Sequence, residues 1–386
     1  MAQKAVRLIL TAALLFILGI IGTHAQEVTL DAVCPGTGIV DRGSTFQPGG
    51  IILTAFDRAA LWVYEVENGR RYPLPETAPC GLGCRLSPDS RWILYLNSDT
   101  HTFNRMRLNG TDRRLVIESA IDVEWWGDNR FLVWTPGHNA YSFTEGVADR
   151  IDYDVDGITA VQPNGLWALQ VMVNAGGDGF ERALVRLDNP TIRIPLGVDL
   201  AYYNARSWSR DGGAFAFAAP VTGDDVLTAE LFMIRPDQLD AQPMQITDLH
   251  SAYGDVRING VSVGELSWSP DNRFIAYWVT PLSGADPMVD PLAVDTGLST
   301  IHITEVATGA TRSYCEFSTT ENRPNPPRLL WSPDGSHLAF GGNVAGDDLG
   351  YFLLALNVES GVITRLSEGV YPALGQADVY VWGNYP

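Results

Sequence analysis

The chain of 386 residues carries 45 Asp and Glu against 26 Lys and Arg, a formal charge of −19, and is 46% hydrophobic with 38 Gly, 23 Pro and 11 Trp. A surface this acidic repels phosphate backbones, which argues against nucleic acid as a partner and leaves cationic ligands and divalent metals open.

In chain order, the first feature is "MAQKAVRLILTAALLFILGIIGTHAQ". Lys4 and Arg7 precede an apolar run from Leu8 to Gly22, and Thr23-His24-Ala25 follows. This is the layout of a secretory signal peptide over residues 1–25, cleaved after about Ala25. The run is shorter than the ~20 residues of a bilayer span, so the alternative of a retained anchor is the weaker fit. The expected protein is exported, whether periplasmic, cell-surface or secreted, with residues 26–386 as one domain. It has no membrane span after cleavage.

Four cysteines remain: Cys34, Cys80, Cys84 and Cys315. An even count in an oxidising compartment permits two disulfides, and four cysteines allow three pairings. The spacing in "CGLGC" suits a small local loop, which favours Cys80–Cys84 with Cys34–Cys315. No second CxxC and no nearby His completes a zinc set.

A phrase then recurs. It is faint in "FQPGGIILTAF" from Phe46, and stands as "LSPDSRWILYL" from Leu86, "WGDNRFLVW" from Trp126 and "QPNGLWAL" from Gln162. It returns as "WSRDGGAFAF" from Trp208, "WSPDNRFIAYW" from Trp268 and "WSPDGSHLAF" from Trp331. The turn positions Gly49, Asp89, Asp128, Asn164, Asp211, Asp271 and Asp334 are spaced by 36 to 63 residues. A period of this size marks a propeller or a solenoid. Within each phrase Pro presets the second turn position, and Asp and Gly accept those that follow. An apolar β-rich run comes next, then further runs such as "FLLALNV" and "ITRLS" in the last unit. With a short strand before each turn, every unit supplies about four strands, and few windows hold a helical period without Gly or Pro interrupting. The expected fold is all-β: a propeller of four-stranded blades, seven by this count. The faint first and third copies leave six or eight open. The Trp or Leu that opens each phrase packs one blade face on the next. Either "GQADVYVW" near the C-terminus or "EVTLDAV" near the start of the mature chain closes the ring.

The phrase W-S-P-D-G followed by an apolar strand resembles the repeat of TolB-like β-propellers, within the wider WD-like group. The resemblance extends over nearly all of residues 40 to 386. It implies a propeller that is often exported and commonly a protein- or ligand-binding module, without implying an enzyme.

Chemical signatures are sparse. "GVSVG" at Gly260–Gly264 fits G-x-S-x-G, but it runs directly into "ELSWSPD" rather than into a strand-to-helix elbow. P-loop, dinucleotide, H-E-x-x-H and EF-hand patterns are lacking. No catalytic residue and no cofactor is assigned, calcium excepted as an option. The long departures from the repeat fall between the second and third strands of successive blades, at 222–229, 281–298 and 343–350. They carry Asp224, Asp225, Asp286, Asp290, Asp295, Asp347 and Asp348, and Asp99, His101, His138 and Asp178 occupy the same place in earlier blades. Loops on a rigid scaffold often carry function, and several carboxylates are what calcium takes. Acidic loops are also what an acidic chain produces without any site. The expected function is a non-catalytic exported module that binds a protein or polar ligand through this acidic face. The alternatives are a hydrolase or lyase using His101 or His138, or a structural module of the cell envelope.

Overall fold

The computed structural model describes residues 29–57, 59–78, 84–97, 99–135, 140–177, 179–199, 204–221, 228–260, 264–282, 298–319, 326–343, 351–370, 372–373, 376–377 and 379–385. The expected signal segment lies outside them. Among the described residues no helix is long and apolar enough to cross a membrane.

Seven antiparallel sheets, each read from its innermost strand outward, follow one another along the chain. Blade 1 comprises Val379–Gly383, Ile51–Thr54, Leu61–Glu65 and Arg71–Leu74. Blade 2 comprises Arg85–Leu86, Trp92–Leu96, Phe103–Arg107 and Arg114–Ile117, and blade 3 Asp122–Trp125, Arg130–Trp134, Ala140–Thr144 and Ile151–Tyr153. Blade 4 is built from Ile158–Val161, Trp167–Val173, Phe180–Arg186 and Arg193–Val198. Blade 5 is built from Arg206–Trp208, Phe215–Pro220, Ala229–Ile234 and Met244–Gln245. In blade 6 the inner strand is split into Val256–Ile258 and Ser267–Trp268, and both parts pair with Phe274–Pro281. Ser299–Glu305 and Thr311–Thr319 complete that blade. Blade 7 consists of Leu330–Trp331, His337–Asn343, Tyr351–Asn357 and Ile363–Glu368.

Burial shows that the blades form a ring. Each of seven apolar clusters joins two blades, because a blade is apolar on both faces and can bury them only against neighbours. One unites Ala339, Leu353, Ala355 and Leu366 of blade 7 with Ile52, Tyr64 and Trp382 of blade 1, and so closes the circle. The other six cover the junctions of blades 1 with 2, 2 with 3, 3 with 4, 4 with 5, 5 with 6 and 6 with 7. The fold is a seven-bladed β-propeller.

Of the two segments expected to close the ring, the C-terminal one does so. Val379–Gly383 lies antiparallel to Ile51–Thr54 as the inner strand of blade 1. The faint first copy of the phrase thereby gains a reason: its turn is made from two distant pieces of chain. Trp382 Nε1 donates to the Gly49 carbonyl at 2.9 Å. A Cβ on Gly50, whose φ is +98°, would lie 2.3 Å from the Gly383 carbonyl oxygen. The N-terminal strands do something else. Leu30–Val33 adds in parallel to the outer edge of blade 6, and Ile39–Asp41 to that of blade 7. Both otherwise open edges are covered in this way. A Cys34–Cys315 disulfide fastens the segment, as the sequence suggests. The Glu316 carboxylate accepts from the Gly36 and Gly38 N–H groups at 2.6 and 2.8 Å. Cys84 is also disulfide-bonded, and Cys80 lies outside the described residues.

The repeated Ser-x-Asp turn has one hydrogen-bond plan. The Ser hydroxyl donates to the Asp two residues on, at 2.5 Å in Ser87–Asp89 and 2.6 Å in Ser209–Asp211, Ser269–Asp271 and Ser332–Asp334. The same hydroxyl accepts, at 2.9 Å, from the N–H that begins the next strand: Trp92, Ala214, Phe274 and His337. Two side chains thus satisfy turn amides that would otherwise need water.

Candidate functional site

The inner strands line a central cavity of about 450 Å³. Counting back from the turn Ser or its equivalent, the preceding position is Leu86, Trp125, Val161, Trp208, Trp268, Trp331 and Trp382 in turn around the ring. The position before that is Arg85, Glu124, Ala160, Ser207, Ser267, Leu330 and Val381. All fourteen line the cavity. The tryptophans also stitch blades together. Nε1 of Trp125, Trp268 and Trp331 donates to the carbonyl of Arg85, Ser207 and Ser267, each one blade back, at 2.9, 3.3 and 2.9 Å. Trp208 Nε1 is buried with no acceptor.

Charge enters the cavity where the pattern varies. Arg85 forms ion pairs with Asp122 at 3.1 Å and Glu124 at 3.6 Å. Burial pushes the Glu124 carboxyl up to about 6, with Arg85 opposing and Asp122 and Glu265 adding to the rise. Arg206 pairs with Asp199 at 2.9 Å. Arg210, Glu265 and Arg328 complete the charged lining. Gly264 allows blades 5 and 6 to meet beside it: its carbonyl accepts from the Arg206 N–H at 2.8 Å, and a Cβ there would lie 2.2 Å from the Asn204 carbonyl oxygen. Ser262 of the G-x-S-x-G string lies outside the described residues. Gly260 and Gly264 flank it between the two parts of the blade 6 inner strand.

The Ser-x-Asp turns all lie at one end of the blades. Antiparallel order places the loops between second and third strands, with the blade connectors, at the other end. The strand ends Pro220 and Ala229, Pro281 and Ser299, and Asn343 and Tyr351 therefore share one face, in adjacent blades 5, 6 and 7. Asp224, Asp225, Asp286, Asp290, Asp295, Asp347 and Asp348 lie outside the described residues, as do His138 and Asp178. Asp99 and His101 are described: both are exposed in the corresponding loop of blade 2, with His101 at a φ of +54°. No group of three or more His, Cys, Asp or Glu that could hold a metal occurs among the described residues.

This face has a feature that the repeat pattern does not announce. In blade 4 the second and third strands run to Val173 and Phe180, which pair with each other and are 59% and 53% exposed. Met172 and Val198 both pair with Glu181 and are 42% and 44% exposed. Residues paired across strands share a side of the sheet, so the tip of this hairpin presents apolar side chains on both of its sides. The signal in the sequence is that "LQVMVNAGGDGFERAL" keeps apolar residues beyond the register that its neighbours need.

No family model matches the chain, and no curated protein matches it in sequence. Similar solved structures include TolB from Acinetobacter baumannii, at 13% identity and a TM-score of 0.44, covering 89% of this chain and 68% of that one. The hydrazine synthase of Kuenenia stuttgartiensis gives 11% and 0.45, over 88% and 99%. The β-propeller domain of Cps50 (Swd1) from Myceliophteria thermophila gives 12% and 0.44, over 84% and 99%. What the chain shares with them is the propeller fold, which its own seven sheets establish. Likenesses this distant add nothing to what the seven sheets and their repeated phrase already show.

Proposed function

We propose that the chain is an exported, non-catalytic propeller that holds a protein partner on the face of its second-to-third-strand loops. The observation that carries this reading is the blade 4 hairpin tip, where Val173 and Phe180 on one side and Met172 and Val198 on the other stand exposed. Exposed apolar clusters rimmed by polar residues mark interaction sites on soluble proteins. The sequence that links the second and third strands of blades 5 to 7 is acidic, and the ends of those strands share this face, so the complementary partner is basic around an apolar centre. The Cys34–Cys315 disulfide supports export, because such bonds persist in oxidising compartments.

The test is quantitative capture from an extract of exported proteins, comparing the wild-type chain with a Val173→Glu/Phe180→Glu double variant. The reading expects a basic protein held by the wild type, lost by that variant, and weakened when Asp224, Asp225, Asp347 and Asp348 become Asn. Equal recovery by all three proteins would sink it. Calorimetry with calcium on metal-free protein shows in parallel whether these carboxylates serve an ion instead.

A further inference from the structure

We propose that the central channel binds a small carboxylic acid, with the Arg210 guanidinium as its anchor. The inference is independent of the partner-binding face, because it concerns the inner strands alone.

The argument starts from the repeat. Arg210 stands where the phrase has Pro88, Pro163, Pro270 and Pro333. The turn does not need the arginine side chain. Ser209 still donates to Asp211 at 2.6 Å, and Gly212 still takes the left-handed position at φ +73°. Only the backbone N–H of Arg210 is used locally, donating to Asn272 Oδ1 at 2.9 Å. The guanidinium is therefore an addition to the turn, and it lines the cavity.

The charges around it leave it uncommitted. Arg85 and Arg206 have carboxylates within ion-pair distance. Arg210 has none among the described residues, and Glu265 acts on it only through the field. Burial draws its pKa below the usual arginine range. A half-buried charge without a counter-ion is less well solvated than one in open water, and a carboxylate matches a guanidinium with two parallel hydrogen bonds. Arg328 supplies a second guanidinium to the lining, and Trp208, Leu330 and Val381 supply apolar wall for a carbon skeleton. A volume of about 450 Å³ falls within the range of small-ligand sites. Seven inner strands enclose the space, which shuts out a folded partner. Glu265 in the same lining favours an acid that also carries an amino or hydroxyl group over a bare dianion.

The experiment is titration calorimetry of the purified chain, at pH 7 and matched ionic strength, with L-aspartate, lactate, succinate and inorganic phosphate. At least one carboxylic acid binds one-to-one, and Arg210→Met, which keeps the stem and the N–H, weakens it at least tenfold with the melting temperature of the free protein unchanged. Arg210→Pro, the residue of blades 2, 4, 6 and 7 at this position, gives the same loss and guards against a fault particular to Met. Binding of phosphate alone, binding of none of the four, or equal affinity in wild type and both variants would overturn the proposal.

Discussion

Trp331 Nε1 donates to the Ser267 carbonyl at 2.9 Å, across 64 residues of chain and one blade of the ring. The two residues hold neighbouring places in successive copies of one phrase, so the repeat encodes its own junction. Trp208 holds the place of Trp331 in blade 5, but its Nε1 has no acceptor. Replacing Trp by Phe removes the donor and keeps an aromatic ring. Trp331→Phe also leaves the Ser267 carbonyl without its partner, a loss of ~1–2 kcal/mol for a buried hydrogen bond. Trp208→Phe forfeits no bond. Urea unfolding of the two variants is expected to show Trp331→Phe as the less stable by about that margin, and equal midpoints would refute the stitching role.

Gly264 marks a close backbone approach between blades 5 and 6. A methyl group there would stand 2.2 Å from the Asn204 carbonyl oxygen, so the two inner strands must part. Gly264→Ala is expected to cost ~1–3 kcal/mol, the range for overpacking a tight site. Gly146→Ala is a poor control, since its φ of +75° brings its own strain. Gly43, where a Cβ would make only an ordinary contact with Thr45 Oγ1 at 3.8 Å, is the suitable one and should stay within half a kcal/mol of wild type by the general behaviour of surface sites.

His302 is fully buried in blade 6, where Tyr253 Oη lies 2.9 Å from its Nε2 and the Thr300 carbonyl 3.2 Å from its Nδ1. Burial holds its pKa down at about 4. A histidine depressed in the fold stabilises it fully above the unfolded value near 6.5, and this contribution drains away as pH falls toward 4. Between pH 7 and pH 4 the wild type should lose ~3 kcal/mol more stability than His302→Gln. Glu124 acts oppositely, because its raised pKa favours the fold at low pH. The comparison between variants isolates His302 from that term. Parallel stability curves for the two proteins would show that the histidine does not titrate as described.

The Cys34–Cys315 disulfide fastens an edge rather than the ring, since closure belongs to Val379–Gly383. Cys34→Ser should therefore leave the seven blades assembled while loosening the strands that pair with blades 6 and 7. Arg42, which donates to Tyr64 Oη at 3.3 Å, follows those strands and is a trypsin site. Loss of ~2 kcal/mol of local stability, the lower end for a native disulfide, accelerates cleavage at Arg42 at least tenfold. An unchanged cleavage rate, or collapse of the whole ring, would contradict the assignment.

The ring was legible from the sequence because it rests on local chemistry. Ser332, Pro333, Asp334 and Gly335 make a turn from their own side chains, and a Trp before the turn must be buried whichever blade holds it. Repetition then fixed the architecture, since a blade that is apolar on both faces has only its neighbours to bury them. The faint copy at Phe46 stayed obscure for a physical reason: its inner strand comes from Val379–Gly383, and no local pattern records a partner more than three hundred residues away. The same holds for the channel. Arg85, Glu124, Arg210, Glu265 and Arg328 lie in five blades, and their own neighbours in the sequence say nothing of a shared cavity. Only ring closure makes them face one another, and only the resulting neighbours decide that Arg85 has carboxylates within ion-pair distance while Arg210 has none among the described residues. The hairpin tip at Val173 and Phe180 was decided in the same way, because exposure depends on where the adjoining blades end.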